Sequence, residues 1–190
     1  MYNIIAIAGK AGSGKDTIMQ RVLAAAPDRF HEIVSATTRP PREGEVDGKN
    51  YHFMDYEDFR KMADEGDMLE FTSFNGWYYG TPISSLAPHK INIGVFNPAG
   101  LRSLLRSPQV CLFIIYVDTL DKIRLIRQLN REEKPNVHEI IRRFSTDEKD
   151  FQDFISDFKP YIVLNNNTSD LDFAVRSITT MMADETFGQN

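Results

Sequence analysis

A single cysteine, Cys111, and four scattered histidines are all the thiol and imidazole groups that the 190 residues offer a metal ion. One thiol excludes an intrachain disulfide framework, and with no HExxH pair and no second cysteine there is no set of ligands for a structural zinc ion. Cys111 lies within the apolar run Val110 to Val117, where a buried, inert thiol is expected. That run is the longest strongly apolar stretch in the chain, far short of the ~20 residues that span a bilayer. Met1-Tyr2-Asn3 lacks the basic start of a secretory signal, so a soluble, cytoplasmic protein with no membrane partner is expected. Basic charge is also in deficit, with 22 Lys and Arg against 27 Asp and Glu and a net charge of −5. This excludes a general nucleic-acid or anionic-surface binder but leaves room for a small anion in a local basic pocket. Eleven Gly and nine Pro are too few for a linker or a disordered chain.

What is present is enough for one domain with a sizeable core. Ile4-Ile5-Ala6-Ile7-Ala8 is a continuous apolar run bounded by glycine, the pattern of a strand buried on both faces. From Lys15 to about Ala26, Ile18, Met19, Val22 and Leu23 form a helical stripe that Pro27 stops. Similar runs at Ile91 to Phe96, Cys111 to Val117 and Tyr161 to Leu164 each precede a helical pattern, at Ala99 to Arg106, Leu120 to Leu129 and Leu171 to Met182. The alternation predicts an α/β protein with a central parallel sheet covered by helices. Between Ser35 and Thr81 the texture changes to Pro, Gly, Asp and aromatic residues. Asp47-Gly48 and Asn75-Gly76 are hairpin signals there, predicting short antiparallel strands in an inserted lobe. The polar segment Asn130 to Val137 has the makings of a lid. The expected division is a core of about 1–34, 82–129 and 158–190, an acceptor lobe of about 35–81 and a helical lid of about 130–157.

Gly9-Lys10-Ala11-Gly12-Ser13-Gly14-Lys15 has GxxxxGK spacing directly after a strand and before a helix. Backbone N–H groups in such a turn converge on an anion, the helix N-terminus adds positive potential, and Lys15 supplies a point charge to terminal phosphates. ATP is the donor this implies. Where Ser or Thr would follow the lysine to meet magnesium, Asp16 stands, with Thr17 next. Asp16 is either a hard oxygen ligand for Mg2+ or a first-turn acid that suits the helix dipole.

Arg39-Pro40-Pro41-Arg42 puts two guanidinium groups three apart on a proline-stiffened turn, an arrangement suited to a phosphate. The stretch Ser35 to Tyr51 that contains it resembles the acceptor motif of guanylate kinases. So do Met68-Leu69-Glu70-Phe71 and Gly76-Trp77-Tyr78-Tyr79-Gly80-Thr81, and the similarity extends loosely over about residues 3 to 165. The resemblance implies a three-layer P-loop fold and transfer of phosphate from ATP to GMP or dGMP. It implies that Arg39, Arg42, Tyr51 and Tyr79 hold the acceptor phosphate, with Glu70 accepting from guanine N1–H and the 2-amino group and Ser35 and Thr81 donating to O6. Lys15 and magnesium would hold the donor phosphates, with Arg131 and Arg143 closing from the lid over the developing charge, and Lys15, Arg39, Arg131 and Arg143 are the catalytic residues this implies. Arg131 is placed only by allowing a one-residue insertion in the lid, and one of the adjacent Arg142 and Arg143 is expected to be solvated. Asn165 would touch adenine or, alternatively, cap a turn.

Two positions depart from the family pattern. Asn97 stands for an aspartate that helps read guanine, and Val95 for another acid. Asn97 can still accept through its carbonyl, without charge assistance. A broader deoxynucleoside monophosphate kinase, a ribose bisphosphate kinase and a non-catalytic guanylate-kinase-like binding module are the other functions compatible with these residues. The oligomeric state is left open.

Overall fold

A computed structural model describes residues 1–42, 44–74, 76–131 and 133–181. The chain begins with β1 (Tyr2–Ala8), α1 (Lys15–Ala25), β2 (Phe30–Glu32), β3 (Ala36–Thr37) and β4 (His52–Phe53). It continues through α2 (Tyr56–Glu65), β5 (Met68–Phe74), β6 (Trp77–Pro82), β7 (Ile91–Val95) and α3 (Pro98–Leu104). The remainder is β8 (Val110–Asp118), α4 (Asp121–Leu129), α5 (Val137–Asp150), α6 (Phe154–Phe158), β9 (Tyr161–Leu164) and α7 (Thr168–Met181). Met182, the predicted end of the last helix, lies outside the described residues.

The main sheet runs β2-β7-β1-β8-β9 with every pair parallel. Its central strand, β1, is sandwiched. Ile5 and Ile7 pack with Ile18 and Val22 of α1 and Ala174 and Ile178 of α7. Ile4, Ala6 and Ala8 turn to the other face, against Leu101 and Leu104 of α3 and Phe154 of α6. The unbroken apolar run follows from this, because both sides of the pleat are buried. Parallel strands place their C-terminal ends on one edge of the sheet, the edge where ligands bind in such folds. The ends of β1, β7, β8 and β9 deliver Gly9, Asn97, Thr119 and Asn165 there.

The second sheet, β4-β3-β6-β5, is mixed. The hairpin of β5 and β6 is antiparallel, as its turn signal predicts, although Asn75 itself lies outside the described residues. The Asp47-Gly48 hairpin does not form. His52–Phe53 instead pairs parallel with β3, and Asp47 and Asn50 fold the intervening chain into a compact loop by accepting from Phe53 N–H and Val46 N–H, each at 2.8 Å. The lobe also carries α2, which the apolar pattern does not reveal because Phe59 is its one buried residue. Its ends are marked by chemistry instead: Asp55 caps Asp58 N–H at 2.8 Å, and Gly66 closes the helix with φ 80°. Cys111 is partly exposed in β8, a correction to its expected full burial.

Candidate active site

The loop between β1 and α1 is shaped by two glycines in the left-handed region, Gly12 (φ 79°) and Gly14 (φ 84°). Neither has space for a side chain: a Cβ on Gly12 would lie 2.6 Å from the Arg124 carbonyl oxygen, and one on Gly14 would collide with the Asn165 amide. The loop's carbonyls are tied down by side chains from distant strands and helices. Asn165 Nδ2 donates to Ser13 O at 2.7 Å, and Arg124 Nε and Gln128 Nε2 donate to Ala11 O at 3.1 and 3.3 Å. A trans peptide points its N–H away from its C=O, so these bonds turn the Gly12 and Gly14 N–H groups to the opposite side. Arg124, at the bottom of this arrangement, is 1% exposed and also meets Asp121 at 2.6 Å and Asp147 at 3.3 Å.

Above the loop lies a cleft of about 370 Å3 that runs from Gly9, Ala11 and Lys15 to Glu70 and Asn97. At its far end Glu70, 7% exposed, accepts the Thr81 hydroxyl on Oε1 at 2.8 Å. Its Oε2 has no hydrogen-bond partner among the described residues. Burial, only partly offset by the Thr81 bond, pushes the Glu70 carboxyl up to about 7. A bare, buried acceptor of this kind is costly unless a ligand supplies the donor. Gly100 forms part of the same wall, and a Cβ there would come 3.2 Å from Glu70 Oε2.

Between these ends the cleft is lined by Arg42, Tyr51 and Tyr79 from the lobe and by Arg142 and Arg143 from α5. Partial burial and the nearby Arg143 and Arg39 charges lower the Arg42 guanidinium from its usual range, only partly offset by Glu45. Glu139 engages both arginines of α5, accepting from Arg142 Nε and Arg143 Nε at 2.7 Å each. The Arg142 hydrogen bond, ahead of the opposing effect of burial and the Arg143 bond, holds the Glu139 carboxyl down to about 2.

Of the residues singled out in the sequence, Gly9, Ala11, Lys15, Ser35, Arg42 and Tyr51 line this cleft together with Glu70, Tyr79, Asn97 and Arg143. Lys10, Gly12, Ser13, Gly14, Asp16 and Thr17 complete the loop and the start of α1 around it. Arg39 sits behind the wall, 8% exposed, its guanidinium bonded to both Glu45 carboxylate oxygens at 2.9 Å and lying beside the Tyr51 ring. Burial opposes its charge, but the Glu45 hydrogen bond and charge outweigh this and raise Arg39. Thr81 spends its one hydroxyl proton on Glu70, so here it orients the carboxylate and does not face a base oxygen. The Asn97 carbonyl is likewise engaged, accepting Gly100 N–H at 2.7 Å as the cap of α3. Asn165, 3% exposed, is a brace beneath the loop. Arg131 follows α4 outside the cleft. Both Arg142 and Arg143 border the cleft, gathered by Glu139, and Arg142, with 46% of its side chain exposed, is the solvated one of the pair, as expected.

Sequence reasoning passed over Arg124, Asp147, Thr72 and Trp77. The spacing 139, 143, 147 and 150 on α5 is one helical face and carries a signal for Asp147. Arg124 gives none, since a buried arginine reads as an exposed one in an amphipathic helix. Among the described residues no group of three or more His, Cys, Asp or Glu is arranged to hold a metal ion. Asp16 is an exposed carboxylate 3.7 Å from Lys15 at the loop's end, which fits an ion held by one carboxylate and donor phosphates. No helix among the described residues is long and apolar enough to cross a membrane.

Known proteins with similar sequences and folds share this arrangement of chain. The guanylate kinase family model matches residues 1–185. The guanylate kinase of Clostridium perfringens (strain 13 / Type A) is 30% identical over 187 residues, 96% of this chain and 83% of that protein. That of Frankia casuarinae is 36% identical over 147 residues, 72% of this chain and 76% of that one. The crystal structure of guanylate kinase from Anaplasma phagocytophilum superposes with a TM-score of 0.67 at 19% identity, covering 96% of this chain and 85% of that chain. The match across nearly the full length, in sequence and in fold, makes this chain a member of the guanylate kinase family.

Proposed function

We propose that the protein transfers the terminal phosphate of ATP to GMP or dGMP, giving ADP and the guanosine diphosphate, as a cytoplasmic enzyme of nucleotide metabolism. The observation that carries this reading is the single cleft with Lys15 and the phosphate loop at one end and the bare Glu70 Oε2 at the other. Ionised Glu70 accepts from guanine N1–H. Adenine presents an unprotonated N1 at the same place, which would set lone pair against lone pair in a buried site.

The cations sort by phosphate. Lys15 and the loop N–H groups take the donor's terminal phosphates, while Arg42, Tyr51 and Tyr79 take the acceptor phosphate. Arg39 supports that group from behind by fixing Tyr51 through its ring contact. An acceptor phosphate oxygen bonds to the γ-phosphorus as the bond to the β–γ bridging oxygen breaks, and ADP leaves with that electron pair. Such a transfer needs in-line positioning and charge neutralisation more than covalent help. Arg143, and Arg142 beside it, are placed to neutralise the group in transit once they exchange Glu139 for phosphate oxygens. Arg131 reaches the site only if the lid closes further. Bound magnesium would be held by Asp16 and the donor phosphates and would supply added neutralisation of their charge. Closure of α5 excludes water and suppresses ATP hydrolysis.

ADP release measured with ATP and magnesium across ribo- and deoxynucleoside monophosphates tests the reading. GMP and dGMP are expected to exceed AMP by about 100-fold. Comparable turnover of dTMP or dCMP favours the broader kinase, and no acceleration by any monophosphate overturns the assignment.

A further inference from the structure

The phosphate loop of this structure already holds an anion, and it belongs to the protein. Asp147 Oδ2, on α5, accepts the Ala11 N–H at 2.6 Å. The neighbouring Glu148 binds Lys10 at 2.6 Å, and Arg124 beneath the loop lies 3.3 Å from Asp147 and 3.6 Å from Glu148. Asp147, Lys15 and Ala11 line the same end of the cleft. A backbone N–H has one hydrogen to give, and a carboxylate beside a phosphate adds repulsion to that competition.

We propose that Asp147 is a further residue of the donor site, an internal ligand of the phosphate loop that the terminal phosphate of ATP must displace. This rests on reading the loop as the ATP site. The displaced carboxylate has a destination, since Arg124 is already within 3.3 Å of Oδ2. A short movement of α5 exchanges the Ala11 N–H for a closer Arg124 contact and leaves the loop to the nucleotide. Donor entry and movement of the helix that carries Arg142 and Arg143 are therefore one event. In the absence of nucleotide, Asp147 and Glu148 keep that helix resting on the loop.

The test is the dissociation constant of magnesium-ATP for the full chain without acceptor, in wild type, Asp147→Ala and Asp147→Asn. Loss of the competing carboxylate should tighten donor binding by about tenfold in Asp147→Ala, the order expected of one charge-assisted hydrogen bond. Asp147→Asn keeps an acceptor oxygen without the charge and should fall between the two. It carries the test alone if the alanine variant does not fold. GMP affinity should stay at the wild-type value in both. If Asp147 merely braces the loop in its binding shape, its removal weakens ATP binding, and that result overturns the proposal. ATP affinity equal to wild type also overturns it, leaving the kinase reading intact. A wild type that binds no ATP overturns both.

Discussion

Glu70 and Thr81 face each other as partners in the β5–β6 ladder, and the threonine hydroxyl saturates one carboxylate oxygen while the other stays bare. The hydroxyl fixes the plane of the carboxylate, so the free oxygen is aimed before any nucleotide arrives. The geometry is set by strand register and survives only as long as that register does.

This pair predicts a pH dependence of opposite sign for binding and for stability. The Glu70 carboxyl lies near 7 when folded, against an ordinary 4.5. Protonation puts an O–H on the free Oε2, which then faces guanine N1–H donor to donor, so KM for GMP should rise as pH falls below 7. Stability runs the other way. The native state holds this proton through the window from 4.5 to 7 while the unfolded chain has lost it, so the contribution is full below 4.5 and gone above 7. Glu70→Gln should accordingly be the more stable protein at pH 8, by up to about 3 kcal/mol, with the gap closing toward pH 4.5. Denaturant titrations at three pH values check this.

Gly100→Ala separates fold from function. Alanine is the better helix former by up to about 1 kcal/mol, and Gly100 lies in the first turn of α3. Its methyl group would stand 3.2 Å from the bare Glu70 oxygen, in the space a base edge needs. We expect an unchanged or raised melting temperature with KM for GMP up about tenfold and KM for ATP unaltered. Steady-state kinetics in both substrates decide it.

Arg124→Met removes a buried cation, taking the countercharge from Asp147 and one of two donors from the Ala11 carbonyl. Breaking one partner out of such a network costs about 3–5 kcal/mol, a fall of roughly 10 °C or more in melting temperature for a chain of this size. Arg124→Lys restores charge without the fork and should recover only part of the loss, as thermal unfolding would show.

Asp16→Ala tests the carboxylate that follows Lys15. If Asp16 helps to hold the ion, the magnesium concentration for half-maximal turnover rises several-fold. An unchanged titration leaves Asp16 only its place in the first turn of α1.

The central sheet was legible because strands buried on both faces are written as continuous apolar runs, and the loop because its glycines and lysine sit between such a run and a helix. The lobe was less so. The helix over Tyr56–Glu65 buries one residue, and His52–Phe53 is two residues long, so neither makes a periodic pattern. The acceptor side chains were found by motif, but their division of labour was not. That Arg39 is given to Glu45, Thr81 to Glu70 and the Asn97 carbonyl to Gly100 depends on which hydrogen-bond partners the fold brings near, and spacing along the chain carries no record of it.

The Asn165–Ser13 hydrogen bond joins residues 152 apart in sequence. The glycines and the lysine of the loop are close neighbours in the chain, yet the side chain that props the loop open follows β9, two strands away across the sheet. A chain in which β9 has not docked has the glycines and the lysine but not the brace, and contacts of such sequence separation form slowly in folding. The shape of the nucleotide loop therefore reports on an edge strand it never touches, because the brace is in place only when β9 is paired with β8.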